Sequence, residues 1–200
     1  MLEAADLTCE RGGRSLFRNL NFSLKEGERL RIGGANGSGK TSLLRILCGL
    51  LAPAQGEVRW KGQPIRALGE EYSRSLVHIG HASGLKDELT AAENLEVSCT
   101  LAGLAVGPAG VGEALDRLGV PGAKPVKELS QGQRRRAALA RLALSAQVPL
   151  WLLDEPFTAL DAAAITLVEA LIEQHAGRGG AVAYSTHQPP RLRESRLIEL

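Results

Sequence analysis

The stretch Gly34-Ala-Asn-Gly-Ser-Gly-Lys40-Thr41 constrains what this chain can fold into more than any other. It has the form Gly-x-x-x-x-Gly-Lys-Thr, a loop that wraps a phosphate chain. Backbone N–H groups surround an anion only where no Cβ intrudes and the chain can take positive φ, which calls for glycine. Lys40 adds a point charge for the terminal phosphates, and Thr41 a hydroxyl for a magnesium ion. A helix starting here directs its positive end at the same anion. The flanks separate this loop from a mere Gly-rich turn. Residues 28–33 alternate as a strand does, and Leu43, Leu44, Ile46 and Leu47 have helical spacing before a stop at Gly49. Gly34, Ala35, Asn36, Gly37, Ser38, Gly39, Lys40, Thr41 and Ser42 are therefore the candidate phosphate-binding residues.

A chain of 200 residues is long enough for one domain with its own core. Its 24 Lys and Arg against 22 Asp and Glu leave a net charge of +2, too even for the basic face that nucleic acid demands. The basic runs Arg134-Arg135-Arg136 and Arg191 to Arg196 read as solvated helix faces, so no nucleic-acid partner is expected. Cys9, Cys48 and Cys99 lack the paired spacing of a metal or redox site and suit a reducing compartment. Glu3, Asp6 and Glu10 argue against a signal peptide, and no apolar run approaches the ~18 residues of a membrane span. A cytosolic protein is expected, with any membrane role supplied through a partner.

Strands are expected at Leu2 to Thr8, on a sheet edge, and at 20–24, 28–33 and 56–60, an antiparallel-rich opening that wraps the phosphate loop. A buried strand at 75–80 precedes a polar loop. Thr90-Ala-Ala-Glu93 has the form of a capping box and opens a helix through Leu101; a second helix is expected near 112–118. Residues 84–146 thus read as a helical lobe inserted between two strands, with 1–83 and 147–200 forming the core of a single α/β domain.

Ser130 and Gln133 also have capping-box spacing, at the start of the last helix of the lobe. Gly132 in that first turn costs about 1 kcal/mol against Ala, which makes sense if an anion must approach the helix end closely. Asp154 and Glu155 end the apolar run from Val148, at the edge where open α/β sheets bind ligands. One carboxylate can hold Mg²⁺; the other can orient or deprotonate a water for attack on a γ-phosphate. His187 follows the strand at 180–185 on the same edge, Asp161 precedes a long amphipathic helix from 162 to 175, and 196–200 reads as a final edge strand.

Four motifs now stand in one order: Gly34–Thr41, Leu129–Gln133, Leu150–Glu155 and His187. Together they resemble the ATP-binding subunits of ABC transporters, over essentially the whole chain. Leu-Ser-x-Gly-Gln between the phosphate loop and the acidic pair is specific to that family among P-loop ATPases. Phe157–Asp161 resembles its D-loop and His187 its switch histidine. The phrases Trp151–Asp161, Ile79–Lys86 and Ser185–Pro189 resemble the ATPase subunits of its cytochrome c biogenesis (haem exporter) branch.

The resemblance implies a P-loop (RecA-like) mixed sheet core with an N-terminal antiparallel part and the inserted helical lobe. It implies ATP and Mg²⁺, with each ATP between Gly34–Ser42 of one copy and Ser130, Gly132 and Gln133 of a second, head-to-tail copy. Lys40 would neutralise phosphate charge, Thr41 and Asp154 hold the magnesium, Glu155 polarise the attacking water, and His187 contact the γ-phosphate. Asp161 would couple the two sites. The implied partners are a second copy and integral membrane subunits of a cytochrome c biogenesis transporter, with this chain peripheral on the cytoplasmic face of the inner membrane and no C-terminal regulatory domain.

Two positions depart from the family pattern. Where the family places a glutamine that binds magnesium, this chain has His81-Ala82; His81 can take the role as a metal or water ligand, and Ala82 cannot. A haem-ligand role for His78 and His81 is the less favoured alternative to an ordinary strand or loop histidine. Where the family stacks adenine on an aromatic ring, Arg11 stands, and either its guanidinium plane or Phe17 can substitute. Two alternatives keep the family and change the role: an exporter subunit for another small substrate, or a nucleotide-gated clamp that does not hydrolyse. An ABC ATPase acting on DNA or ribosomes is disfavoured, because such chains carry a coiled-coil insertion or a second cassette.

Overall fold

The computed structural model of the chain describes residues 1–186, 192 and 196–200. Among them, the expected mixture of strands is distributed over two sheets. β1 (Leu2–Arg11), β2 (Arg14–Leu24), β4 (Gln55–Trp60) and the short β5 (Gln63–Pro64) form an antiparallel sheet in the order β2-β1-β4-β5. β3 (Arg29–Gly33), β6 (Leu76–Ile79), β7 (Leu150–Leu153), β8 (Ala181–Ser185) and β9 (Arg196–Glu199) form a sheet in the order β6-β7-β8-β3-β9, every described pairing of which is parallel. β1 is not the edge strand its sequence suggested: β2 pairs with one side of it and β4 with the other. The strand preceding the phosphate loop sits inside the parallel sheet, between β8 and β9.

The parallel sheet is covered on both faces, and the period-2 alternation of its strands sorts the core. On β7, Leu150 and Leu152 face α1 (Lys40–Leu47) and the antiparallel sheet, while Trp151 and Leu153 face a layer of helices on the other side. Ala181 and Ala183 on β8 face the first layer, and Val182 and Tyr184 the second. The second layer holds α4 (Ala91–Leu101), α5 (Pro108–Arg117), α6 (Gln131–Leu139), α7 (Arg141–Leu144) and α8 (Ala162–Gly177), all of which contribute buried residues to one cluster.

Both capping boxes form. Thr90 Oγ1 accepts from the Glu93 N–H at 3.1 Å while the Glu93 carboxylate accepts from the Thr90 N–H at 2.7 Å. Ser130 Oγ accepts from the Gln133 N–H at 3.2 Å, and Gln133 Oε1 from the Ser130 N–H at 2.9 Å. Two short helices, α2 (Ile65–Leu68) and α3 (Glu70–Arg74), lie where no helix was expected; neither has a side-chain cap.

Candidate functional site

The phosphate loop closes the gap between β3 and α1. Gly34, Gly37 and Gly39 have φ of 130°, 82° and 112°, which L side chains rarely adopt. Gly39 is the N-cap of α1, and a Cβ there would lie 3.1 Å from Leu16 and 3.2 Å from Phe17. Those two side chains of β2 therefore brace the loop from outside. Lys40 is buried and folds back over the loop, donating from Nζ to the Gly34 carbonyl at 2.8 Å and the Ala35 carbonyl at 2.9 Å. An ammonium has three protons, so one remains for an anion.

A cleft of about 330 Å³ opens over this loop, lined by Leu16, residues Asn36 to Ser42 except Ser38, His81 and Glu155. The structure thus brings together the loop, Glu155 of the acidic pair and His81 from three separate parts of the sequence; Asp154 borders a neighbouring cavity instead. Arg11 is exposed at the end of β1 and does not line the cleft; Leu16 does. Ser130, Gly132 and Gln133 do not line it either. His187 lies outside the described residues.

Asp154 and Glu155 are both buried at the C-terminal end of β7. The last ladder bond is Asp154 N–H to Ile79 carbonyl, 2.8 Å; beyond it the backbone turns, and Glu155 takes φ 50°. Two residues that the sequence reading did not single out hold this turn. Ser185, at the end of neighbouring β8, donates its hydroxyl to Asp154 Oδ1 at 2.7 Å and accepts the Glu155 N–H at 2.9 Å. Arg135, on α6, donates to the carbonyls of Asp154 at 2.7 Å and Glu155 at 2.8 Å. Burial pulls the Arg135 guanidinium below its usual pKa, and the nearby Asp154 and Glu155 carboxylates oppose that shift; an arginine stays charged through it. Burial likewise lowers the pKa of His78, against the opposing charge of Asp154.

The Arg134-Arg135-Arg136 run is therefore not simply a solvated face. Arg134 pairs with Asp87 at 2.9 Å, while Arg135 is only 6% exposed. One sequence signal marked it: Arg135, Leu139 and Leu142 are spaced i, i+4, i+7, the stripe that faces the core. For Ser185 the signal was a polar residue ending the buried run Ala-Val-Ala-Tyr.

Gly132 has a close neighbour within the chain. A Cβ there would lie 3.1 Å from the carbonyl oxygen of Ala159, in the loop after the acidic pair. Asp161, at the end of that loop, caps α8 by accepting the Ala164 N–H at 2.8 Å. No cluster of three or more His, Cys, Asp or Glu able to hold a metal occurs among the described residues. What the arrangement can hold is a phosphate chain, with a hydroxyl and carboxylates as hard oxygen donors beside it.

Comparison with known proteins agrees with this geometry. Residues 17–158 match the family model described as ABC transporter. The chain is 51% identical to the cytochrome c biogenesis ATP-binding export protein CcmA of Nitrosospira multiformis, over 94% of this chain and 91% of that protein. It is 46% identical to the protein of the same name from Pseudomonas aeruginosa, over 100% and 99% of the two chains. Among solved structures it resembles a dimeric bacterial ABC transporter cassette with a TM-score of 0.87 at 27% identity, covering 100% of this chain and 94% of that one. A dimeric post-hydrolysis ATP-binding cassette bound to ADP and Pi gives a TM-score of 0.84 at 27% identity, with the same coverage. With the phosphate loop, the acidic pair and the capped Ser130 turn in place, the chain belongs to the ABC transporter family, among its ATP-binding subunits.

Proposed function

We propose that this chain is the ATP-hydrolysing subunit of a transporter for c-type cytochrome biogenesis, working as a head-to-tail pair on the cytoplasmic face of the membrane that holds its partner subunits. The observation that carries the reading is the cleft in which Lys40, Thr41 and Glu155 converge while Ser130 stays outside. One copy supplies the loop and the water-activating carboxylate; the remaining donors come from the Ser130 turn of the other. Ser130 Oγ accepts the Gln133 N–H and keeps its own proton to donate to a γ-phosphate. Two of the structural relatives are described as dimeric cassettes, one of them bound to ADP and Pi.

Thr41 and Asp154 are oxygen donors of the kind Mg²⁺ takes, and a magnesium bound largely through substrate phosphates needs no protein cage. When bound it supplies charge neutralisation at the β- and γ-phosphates. Lys40 shares that task from the loop. Glu155 orients the water and takes its proton; His187 contacts the γ-phosphate and the water; Asp161 couples the two sites. Arg11 or Phe17 contacts adenine, and His81 stands in for the usual glutamine. Residues 84–146 act as a lobe that carries the Ser130 turn against the core formed by 1–83 and 147–200.

Among the described residues no helix is long and apolar enough to cross a membrane; in this reading the membrane-spanning parts belong to partner subunits. A second cavity, of about 410 Å³, suits their docking. It lies between core and lobe, and His81 borders both it and the phosphate cleft. Leu50 on its wall is 68% exposed, and Val97 and Leu101 on α4 are 48% and 84% exposed. A segment seated there would touch the loop that faces the nucleotide.

Two measurements test the reading. Phosphate release by the assembled complex should be lost in Glu155→Gln; activity that survives unaltered removes Glu155 from the mechanism. Membrane proteins of c-type cytochrome assembly should co-purify with the chain; an unrelated permease in their place contradicts the cytochrome assignment.

A further inference from the structure

Glu155 must present its carboxylate to the cleft from a left-handed backbone conformation, φ 50°, at a place where the sheet ladder has ended. Something has to fix that peptide. Its N–H is held by Ser185 at 2.9 Å from within the sheet. Its carbonyl is held by a group from the lobe, Arg135 Nη2 at 2.8 Å. The same guanidinium reaches the Asp154 carbonyl at 2.7 Å and, through Nη1, the Gly80 carbonyl at 2.8 Å and the His81 carbonyl at 3.4 Å. These four carbonyls follow the ends of two adjacent parallel strands, β6 and β7. One planar fork therefore ties together the two loops that border the nucleotide cleft.

We infer that Arg135 is a positioning residue for ATP hydrolysis, through which the docking of the Ser130 helix sets the placement of Glu155 and of the His81 loop. The inference rests on the reading of this site as an ATPase. Ser130 caps α6, and Arg135 lies five positions further along the same helix, about 7–8 Å at 1.5 Å per residue. A helix is stiff over that distance. When the Ser130 turn engages a nucleotide, any tilt of α6 moves the guanidinium, and with it the carbonyls of Asp154, Glu155, Gly80 and His81. Only arginine can do this. Its fork is planar and carries five donors, whereas a lysine ammonium is a point charge with three. Its charge also faces the Asp154 and Glu155 carboxylates from inside the protein, and these oppose the effect of burial on its ionisation.

The test compares wild type, Arg135→Lys and Arg135→Gln in the assembled transporter. Phosphate release, equilibrium binding of ATP and thermal unfolding are each measured. Arg135 touches no part of the phosphate loop's hydrogen bonding, so ATP affinity should stay within about twofold of wild type. The turnover number should fall roughly 10–100-fold, the scale expected of a catalytic group displaced by about 1 Å. Arg135→Lys should retain more turnover than Arg135→Gln. Unchanged turnover in both variants, or ATP affinity that falls in step with turnover, overturns the inference and leaves the ATPase reading standing. Loss of cooperative unfolding in both variants also overturns it, since Arg135 then only holds the fold. A wild-type complex that binds ATP and releases no phosphate overturns the ATPase reading and this inference with it.

Discussion

Ser185 donates its hydroxyl proton to Asp154 Oδ1 at 2.7 Å, from the neighbouring strand and with both residues almost wholly buried. Ser185 Oγ also accepts the Glu155 N–H at 2.9 Å, so one hydroxyl orients two consecutive acidic residues. Ser185→Ala removes both bonds and leaves a buried carboxylate oxygen and a buried N–H short of a partner. The expected loss of stability is about 1–3 kcal/mol, with a fall in turnover and a raised magnesium requirement. Urea unfolding and a magnesium titration of phosphate release check both; unchanged values in the two assays would mean that the serine orients nothing.

The phosphate loop should be equally intolerant at Gly39. Alanine there is strained by φ 112° and brings its Cβ within 3.1–3.2 Å of Leu16 and Phe17. We expect Gly39→Ala to cost about 1–3 kcal/mol of backbone strain and to weaken nucleotide binding correspondingly. Equilibrium titration with a fluorescent nucleotide reads this directly.

Asp161 separates a structural from a coupling role. Its bond to the Ala164 N–H caps α8, so Asp161→Ala should cost about 1 kcal/mol in unfolding experiments, and Asp161→Asn much less. If Asp161 also couples paired sites, Asp161→Asn should still reduce turnover at nearly wild-type stability. Equal turnover in wild type and Asp161→Asn would confine the residue to capping.

His175 gives the protein an acid-labile point far from the cleft. It is 3% exposed and stacks on Trp151 at 3.8 Å between ring centroids and 5° between planes. Burial, aided by the positive charge of Arg178, lowers its pKa from 6.5 to about 4. The neutral ring is the folded form. The stabilisation is therefore complete above pH 6.5 and is lost as the pH falls towards about 4, because the unfolded chain takes up the proton first. The loss should reach up to roughly 3 kcal/mol across that window. Urea midpoints at pH 7 and pH 5 should differ in this direction, and less so in His175→Asn.

The elements that the sequence made legible are those whose signals are local. The phosphate loop, both capping boxes and the apolar run of β7 depend on neighbours within a few residues, and each has its expected form. β1 read as an edge because edge or interior status is decided by partners far along the chain, here β4 on its second side. α2 and α3 are too short to show a period and lack side-chain caps. Arg135 and Ser185 acquire their roles across 19–55 residues of sequence, through carbonyls and a carboxylate that only the folded sheet brings within reach. Gly132 was read as room for an anion; the structure adds that a Cβ there would lie 3.1 Å from the Ala159 carbonyl oxygen, which sets the Ser130 turn beside the loop beyond Glu155.

The shared nucleotide site is tested most directly by the mass of the Glu155→Gln protein in saturating Mg-ATP, measured by sedimentation velocity alongside the double variant Glu155→Gln, Ser130→Arg. The account predicts a pair of copies with one ATP per copy, which the added arginine separates into single copies that still bind nucleotide. A Glu155→Gln protein that stays a single copy, or a pair indifferent to arginine at position 130, would contradict it.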